Sequence, residues 1–141
     1  MIIERKHYLE KLISKKENGL IKVITGIRRC GKSFLLFELY HSYLNSIGID
    51  DANIIELALD EAINARYRNP LELDSYIRSL VSDKSQKYYV FLDEIQKVSD
   101  IRNPYVDDPE SKIGFVDVLL GLMKLKNIDL YVTGSNSRML S

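Results

Sequence analysis

The chain has 141 residues, 45 % hydrophobic and 28 % charged, with one cysteine and two histidines. That length holds one domain with a sizeable core, and the composition excludes disordered and collagen-like proteins, a disulfide framework and any zinc-ligand spacing. Net charge is zero, but residues 1–33 carry nine Lys or Arg against three Glu, a local basic region rather than the broad footprint of a nucleic-acid binder.

The N-terminus lacks the apolar segment of a signal peptide, and no run approaches the length of a membrane helix. A cytoplasmic protein without a membrane partner is expected. Periodicity predicts a helix over about 6–17, with Tyr8, Leu9, Leu12 and Ile13 on one face, closed by Gly19. Residues 20–25 read as a first strand by their β-branched content. A helix from about Ser33 to Ser46 is apolar most of the way round, so it should lie against a sheet, and Gly48 ends it. Residues 53–59 give a second strand. Asn69-Pro70-Leu71-Glu72 reads as a helix start, with Asn69 as N-cap and Glu72 reaching back, continuing through Tyr76, Ile77, Leu80 and Val81. The third strand, Tyr88–Leu92, is a continuous apolar run of the kind buried on both faces. Residues 99–112 read as a polar loop. A helix over about 112–126 follows, with Phe115, Leu119, Leu122 and Met123 on one face, and then a fourth strand over 128–133. Alternating strands and helices predict an α/β fold with a mostly parallel sheet.

Between the first strand and its helix lies Gly26-Ile27-Arg28-Arg29-Cys30-Gly31-Lys32-Ser33, which fits GxxxxGK followed by Ser or Thr, the Walker A phosphate loop. The glycines let the backbone turn its N–H groups toward phosphate oxygens. The helix that follows, through Phe34, presents its positive end to the same charge. Lys32 would reach the β- and γ-phosphates and the Ser33 hydroxyl would ligate Mg²⁺. A chance match arises about once in 200 chains of this size at average composition, and this one falls between a strand and a helix. A nucleotide site is therefore expected.

A second signature is Val90-Phe91-Leu92-Asp93-Glu94, an apolar strand ending in two carboxylates, as in Walker B. Asp93 would hold Mg²⁺ and Glu94 would polarise a water for attack on the γ-phosphate. Two acids at a strand end are ordinarily solvated charge; paired with the upstream loop they read as a site. The adjacent glutamate favours hydrolysis over a kinase reaction. Asn127-Ile128-Asp129 does not fit a guanine-reading segment, so ATP is favoured over GTP. The third feature, Thr133-Gly134-Ser135-Asn136-Ser137, follows the fourth strand. Ser135 or Asn136 could contact the γ-phosphate or the attacking water, or simply cap the next helix.

Together these elements resemble the AAA-type P-loop ATPases, in particular the prokaryotic group whose ATPase domain precedes a nuclease-like C-terminal domain. The residues that carry the resemblance are Arg5-Lys6-x-Tyr8-Leu9, the Gly26–Ser33 loop with its arginine pair, Leu92-Asp93-Glu94-Ile95-Gln96 and Thr133–Ser137. The resemblance implies a three-layer α/β/α P-loop fold with strand order 1-4-3-2, in one domain over 1–141: a helical segment 1–19 and a core 20–141. It also implies that the sequence stops short of a fifth strand, a helical lid and further arginines. The expectation is a chain that binds ATP or ADP with Mg²⁺ and hydrolyses slowly alone. Homo-oligomerisation, and a DNA or protein partner for the remainder of the protein, are further implications. The alternative is a nucleotide-gated regulatory module that needs no turnover. Arg28 and Arg29 either contact phosphates or a neighbouring subunit or are solvated charge, and Cys30 reads as a small filler of the loop rather than an oxidation-sensitive thiol. Arg5 and Tyr8 either line an adenine pocket or pack as ordinary helix residues.

Overall fold

The computed structural model describes residues 2–25 and 30–134. The chain opens with α1 (Ile2–Ser14), then β1 (Lys22–Ile24). A continuous helical rod follows: α2 (Cys30–Phe34), a π-helical stretch Leu35–Tyr40 and α3 (His41–Ser46). Next come β2 (Ile54–Ala58), α4 (Pro70–Leu80) and β3 (Tyr88–Asp93). A two-stranded hairpin of β4 (Ile101–Arg102) and β5 (Lys112–Ile113) leads to α5 (Phe115–Leu122) and β6 (Ile128–Thr133).

The main sheet runs β1-β6-β3-β2, all parallel. The fourth long strand in sequence thus inserts between the first and third, the order the resemblance implies. The register aligns Val90 with both Ile55 and Leu130, and Ile24 with Thr133. Side chains alternate along each strand, so each face has its own core. Val90, Leu92, Leu130 and Val132 meet Leu73 and Ile77 of α4 and Leu119 and Leu122 of α5. On the other face Tyr89, Phe91 and Tyr131 meet Leu12 of α1, and Leu36, Tyr40 and Leu44 of the helical rod. All six residues of β3 are buried, as its apolar run predicts.

Several local expectations need correction. The first helix begins earlier and ends at Ser14, because Glu17 and Gly19 take left-handed conformations (φ 56° and 82°) that stop a helix. The second predicted helix contains a π stretch, which its near-continuous apolar run does not signal. Asn69 does cap α4, accepting from Leu71 N–H at 2.9 Å and Glu72 N–H at 3.2 Å. Glu72, however, pairs with Arg66 at 2.9 Å instead of reaching back. Within the polar loop 99–112 the chain forms the β4–β5 pair, so the next helix starts only at Phe115, after Gly114 in an extended conformation. Met123 is 52 % exposed and stands off the buried face assigned to it.

Candidate functional site

Parallel strands deliver their carboxyl ends to one edge of the sheet. From β1 the chain passes to the α2 face, and from β3 to the α5 face, so the two connections diverge on either side of β6. Residues 30–34 on one side and 93–97 on the other therefore flank the end of β6, the topological switch point where a parallel α/β sheet places its ligand crevice.

Lys32 lies in α2 and is only 3 % exposed. Its Nζ donates to the Gly134 carbonyl, just past β6, at 2.7 Å, and stands 3.9 Å from Glu94 Oε1. Ser33 Oγ donates to Asp93 Oδ2 at 2.7 Å. Asp93, at the tip of β3, is buried, and its second oxygen accepts from the Thr133 hydroxyl. Thr133 in turn accepts from the Glu94 N–H at 3.0 Å. The last residue of β6 therefore ties both residues of the β3 tip, Asp93 by its carboxylate and Glu94 by its N–H, to the strand that leads into Gly134.

Glu94 sits in the left-handed region, φ 58° and ψ 56°. A residue other than glycine is sterically strained there, and such positions concentrate at functional sites. The turn that follows, Ile95–Lys97, is a 3₁₀ helix held by Lys97 N–H to the Glu94 carbonyl at 3.1 Å and by the burial of Ile95. It folds Gln96 back so that its Nε2 donates to Glu94 Oε1 at 2.7 Å. The Glu94 side chain keeps 19 % of its surface in contact with solvent, so water reaches it while Asp93 stays dry.

Lys32, Ser33, Asp93 and Glu94, the residues expected from the two signatures, thus come together from segments sixty positions apart. Gly31 is buried beside them, Cys30 opens α2, and Phe34 closes it with a partly exposed ring. Gly26, Ile27, Arg28, Arg29, Ser135 and Asn136 lie outside the described residues, as do the side chains of Arg5 and Cys30. Tyr8 borders a cleft of about 430 Å³ with Leu12, Ile24, Thr25 and Leu35. Two further residues at the site, Thr133 and Gln96, receive no individual role from sequence reasoning. The signal for Thr133 is its place as the last residue of a strand at the carboxyl edge; for Gln96 it is only its place in the Leu92–Gln96 stretch that carries the resemblance.

Chemically, the crevice offers a buried ammonium held by a neutral carbonyl, and a hydroxyl–carboxylate pair of hard oxygen donors. That donor set suits an anion beside a small hard cation. Among the described residues no group of three or more His, Cys, Asp or Glu could hold a metal. The oxygen pair fits Mg²⁺, which keeps several waters and takes other ligands from phosphates rather than from a protein cage.

The parallel sheet, its order and the crevice at its carboxyl edge define a P-loop NTPase-like α/β domain. Residues 18–141 match the family model of the AAA domain, and the chain belongs to that family. It is thus an AAA-type, ATPase-like nucleotide-binding domain. An uncharacterized protein of Haemophilus influenzae is 32 % identical over 140 residues, covering 99 % of this chain and 31 % of the relative. The uncharacterized protein MJ1544 of Methanocaldococcus jannaschii is 29 % identical over 135 residues, covering 93 % of this chain and 24 % of the relative. The chain therefore spans a third or less of the length of these curated relatives. No solved structure matches it. Among the described residues no helix is long and apolar enough to cross a membrane.

Proposed function

We propose that this domain binds Mg-ATP in the crevice above β6 and, in the complete protein, hydrolyses it to ADP and phosphate. The observation that carries this reading is the meeting of Ser33 with Asp93 at 2.7 Å and of Lys32 with Glu94 at 3.9 Å. Those four side chains come from the two sequence signatures that separately suggested phosphate and water chemistry.

Backbone N–H groups of the Gly26–Phe34 segment would cradle the phosphates. Lys32 would exchange the Gly134 carbonyl for a phosphate oxygen, trading a neutral acceptor for an anionic one and so gaining a stronger hydrogen bond. Ser33 and Asp93 would hold Mg²⁺, which when bound neutralises phosphate charge. Glu94 would take the proton of a water whose oxygen bonds to the γ-phosphorus, while the bond from phosphorus to the ADP oxygen breaks. Ser135 or Asn136 would sense the γ-phosphate. An arginine from another subunit or segment contributes about 10³–10⁵ in rate to such reactions. The isolated 141-residue chain is accordingly expected to turn over below about 1 s⁻¹.

Glu94→Gln tests the assignment. Removing the base while keeping the side chain's shape should cut hydrolysis by about 10²–10⁴ and leave Mg-ATP affinity within about twofold. Hydrolysis at the unmutated rate would overturn it, and would favour the alternative of a module that responds to occupancy alone if the biological readout of the full-length protein also persists.

A further inference from the structure

We propose that Gln96 is a positioning residue for hydrolysis: its amide holds the Glu94 carboxylate in place once Lys32 has been drawn away by phosphate. Gln96 has this role only if Glu94 is the base, as proposed above.

The geometry supplies the reason such a clamp is needed. Glu94 Oε1 has two described neighbours that can donate, Gln96 Nε2 at 2.7 Å and Lys32 Nζ at 3.9 Å. The phosphate that binds Lys32 competes with Glu94 for that ammonium. A carboxylate that loses its cation on ligand binding needs another donor, or it swings among rotamers when it must take the proton of the attacking water. A misplacement of about 1 Å can cost about 10²-fold in rate.

Gln96 is built for this task in two respects. First, it is fixed. Residues two apart on a regular helix do not face each other. Here the left-handed Glu94 and the 3₁₀ turn after it bring residue 96 back over residue 94. That turn is pinned by buried Ile95 and by Ser99 N–H, which donates to the Arg68 carbonyl at 2.8 Å. Arg68 in turn donates to the Leu59 carbonyl at 2.7 Å, and Leu59 N–H to the Asp93 carbonyl at 3.0 Å. The Gln96 segment is thereby secured to the end of β2. Second, the amide is neutral. A lysine or arginine at this position would hold the carboxylate more strongly, but its charge would disfavour proton uptake by the base. An amide orients the carboxylate and leaves it able to accept a proton.

The test is a double-mutant cycle on the full-length protein with Mg-ATP, read by single-turnover hydrolysis and by nucleotide affinity. Gln96→Met keeps the length and bulk of the side chain but removes the donor; Gln96→Ala removes both. Both variants should slow hydrolysis about 10- to 100-fold, with affinity within about twofold of the unmutated protein. In a Glu94→Gln background neither should slow it further, because a residue that acts through another has no effect once that residue is gone. Hydrolysis restored in Gln96→Met but not in Gln96→Ala would show a packing role and overturn the proposal, as would effects that add to Glu94→Gln. If Glu94→Gln loses hydrolysis while both Gln96 variants retain it, the proposal fails alone. If the unmutated protein leaves ATP intact, or Glu94→Gln hydrolyses it normally, the base assignment fails and this role falls with it. Circular dichroism confirms folding of each variant, and the Met variant serves if the Ala variant unfolds.

Discussion

Both ends of the sheet bury a lysine beside a carboxylate, and they do so in opposite ways. At the amino-terminal ends of β1 and β6, Lys22 and Asp129 meet at 2.6 Å, their side chains 4 % and 3 % exposed. Asp129 is saturated there: its second oxygen accepts from Glu17 N–H at 2.8 Å and from Tyr131 Oη at 2.6 Å. Tyr131 continues the chain to the Tyr40 hydroxyl of the helical rod, and Tyr89 donates to Glu17 at 2.6 Å. Burial first, then the hydrogen bond with Asp129, pushes the Tyr131 hydroxyl far above the ordinary tyrosine range, so it stays a donor. The Glu17 carboxyl is held below its ordinary value by its hydrogen bonds with Lys16 and Tyr89. At the carboxyl-terminal end, Lys32 is as buried but stands 3.9 Å from Glu94 and directs its short hydrogen bond to a backbone carbonyl.

The difference separates a committed charge from an available one. Lys22 has an anionic partner at optimal distance, and any exchange would strand Asp129 in a dry site. Lys32 has a neutral acceptor that an anion can outcompete, so its burial stores a readiness to bind rather than a finished contact. A buried ion pair is weak evidence of stability in itself, but breaking one is costly. Lys22→Met is therefore expected to destabilise the fold by about 3–5 kcal/mol in urea unfolding, and to leave the nucleotide affinity of the folded protein unchanged. A loss of affinity equal to that of Lys32→Ala would erase the distinction between the two ends.

Removal of the divalent cation has a smaller expected effect. Chelating Mg²⁺ should weaken ATP binding about tenfold, roughly 1.4 kcal/mol, as read by calorimetry. In Ser33→Ala the affinities with and without Mg²⁺ should converge. The smallest effect belongs to neither end. His41 places Nδ1 2.8 Å from Glu56 and Nε2 2.7 Å from Asp51, an arrangement in which both ring nitrogens donate and the imidazolium is favoured. Burial works against the charged ring, but the bonds to Asp51 and Glu56 outweigh it and raise its pKa. A raised folded-state pKa adds stability that is fully present below the usual histidine value of about 6.5 and is lost as pH rises through the folded value. The melting temperature should therefore fall modestly between neutral and mildly alkaline pH, and more steeply than in His41→Gln. Equal slopes would remove this contribution.

The strands and the two signatures are legible in the sequence because they depend on local pattern. A fully apolar run such as Tyr88–Leu92 has one physical solution, burial on both faces, and a glycine-bounded lysine–serine pair after a strand has few uses. The strand order comes from resemblance, not periodicity, since nothing local says which strands pair. The β4–β5 hairpin escapes because its arms are two residues each, too short for an alternating pattern. The π stretch at Leu35–Tyr40 escapes because a segment apolar on nearly every side gives no phase to read. The Lys22–Asp129 pair is hidden because each residue alone looks like ordinary polarity in a strand; the β1–β6 pairing is what brings them together. Thr133 is marked only by its place at the end of β6, and the bond of Gln96 to Glu94 depends on the left-handed backbone of Glu94, which no spacing rule announces.

The most direct measurement is a thermal shift of the chain with Mg-ATP, Mg-ADP and Mg-GTP, beside Lys32→Ala. Ligand at 100 times its Kd adds about 2.7 kcal/mol, several degrees for a domain of this size. The expected result is a rise with adenine nucleotides that vanishes in Lys32→Ala while the ligand-free melting temperature changes little. An equal rise in Lys32→Ala would contradict the assignment of the crevice above β6 as the nucleotide site.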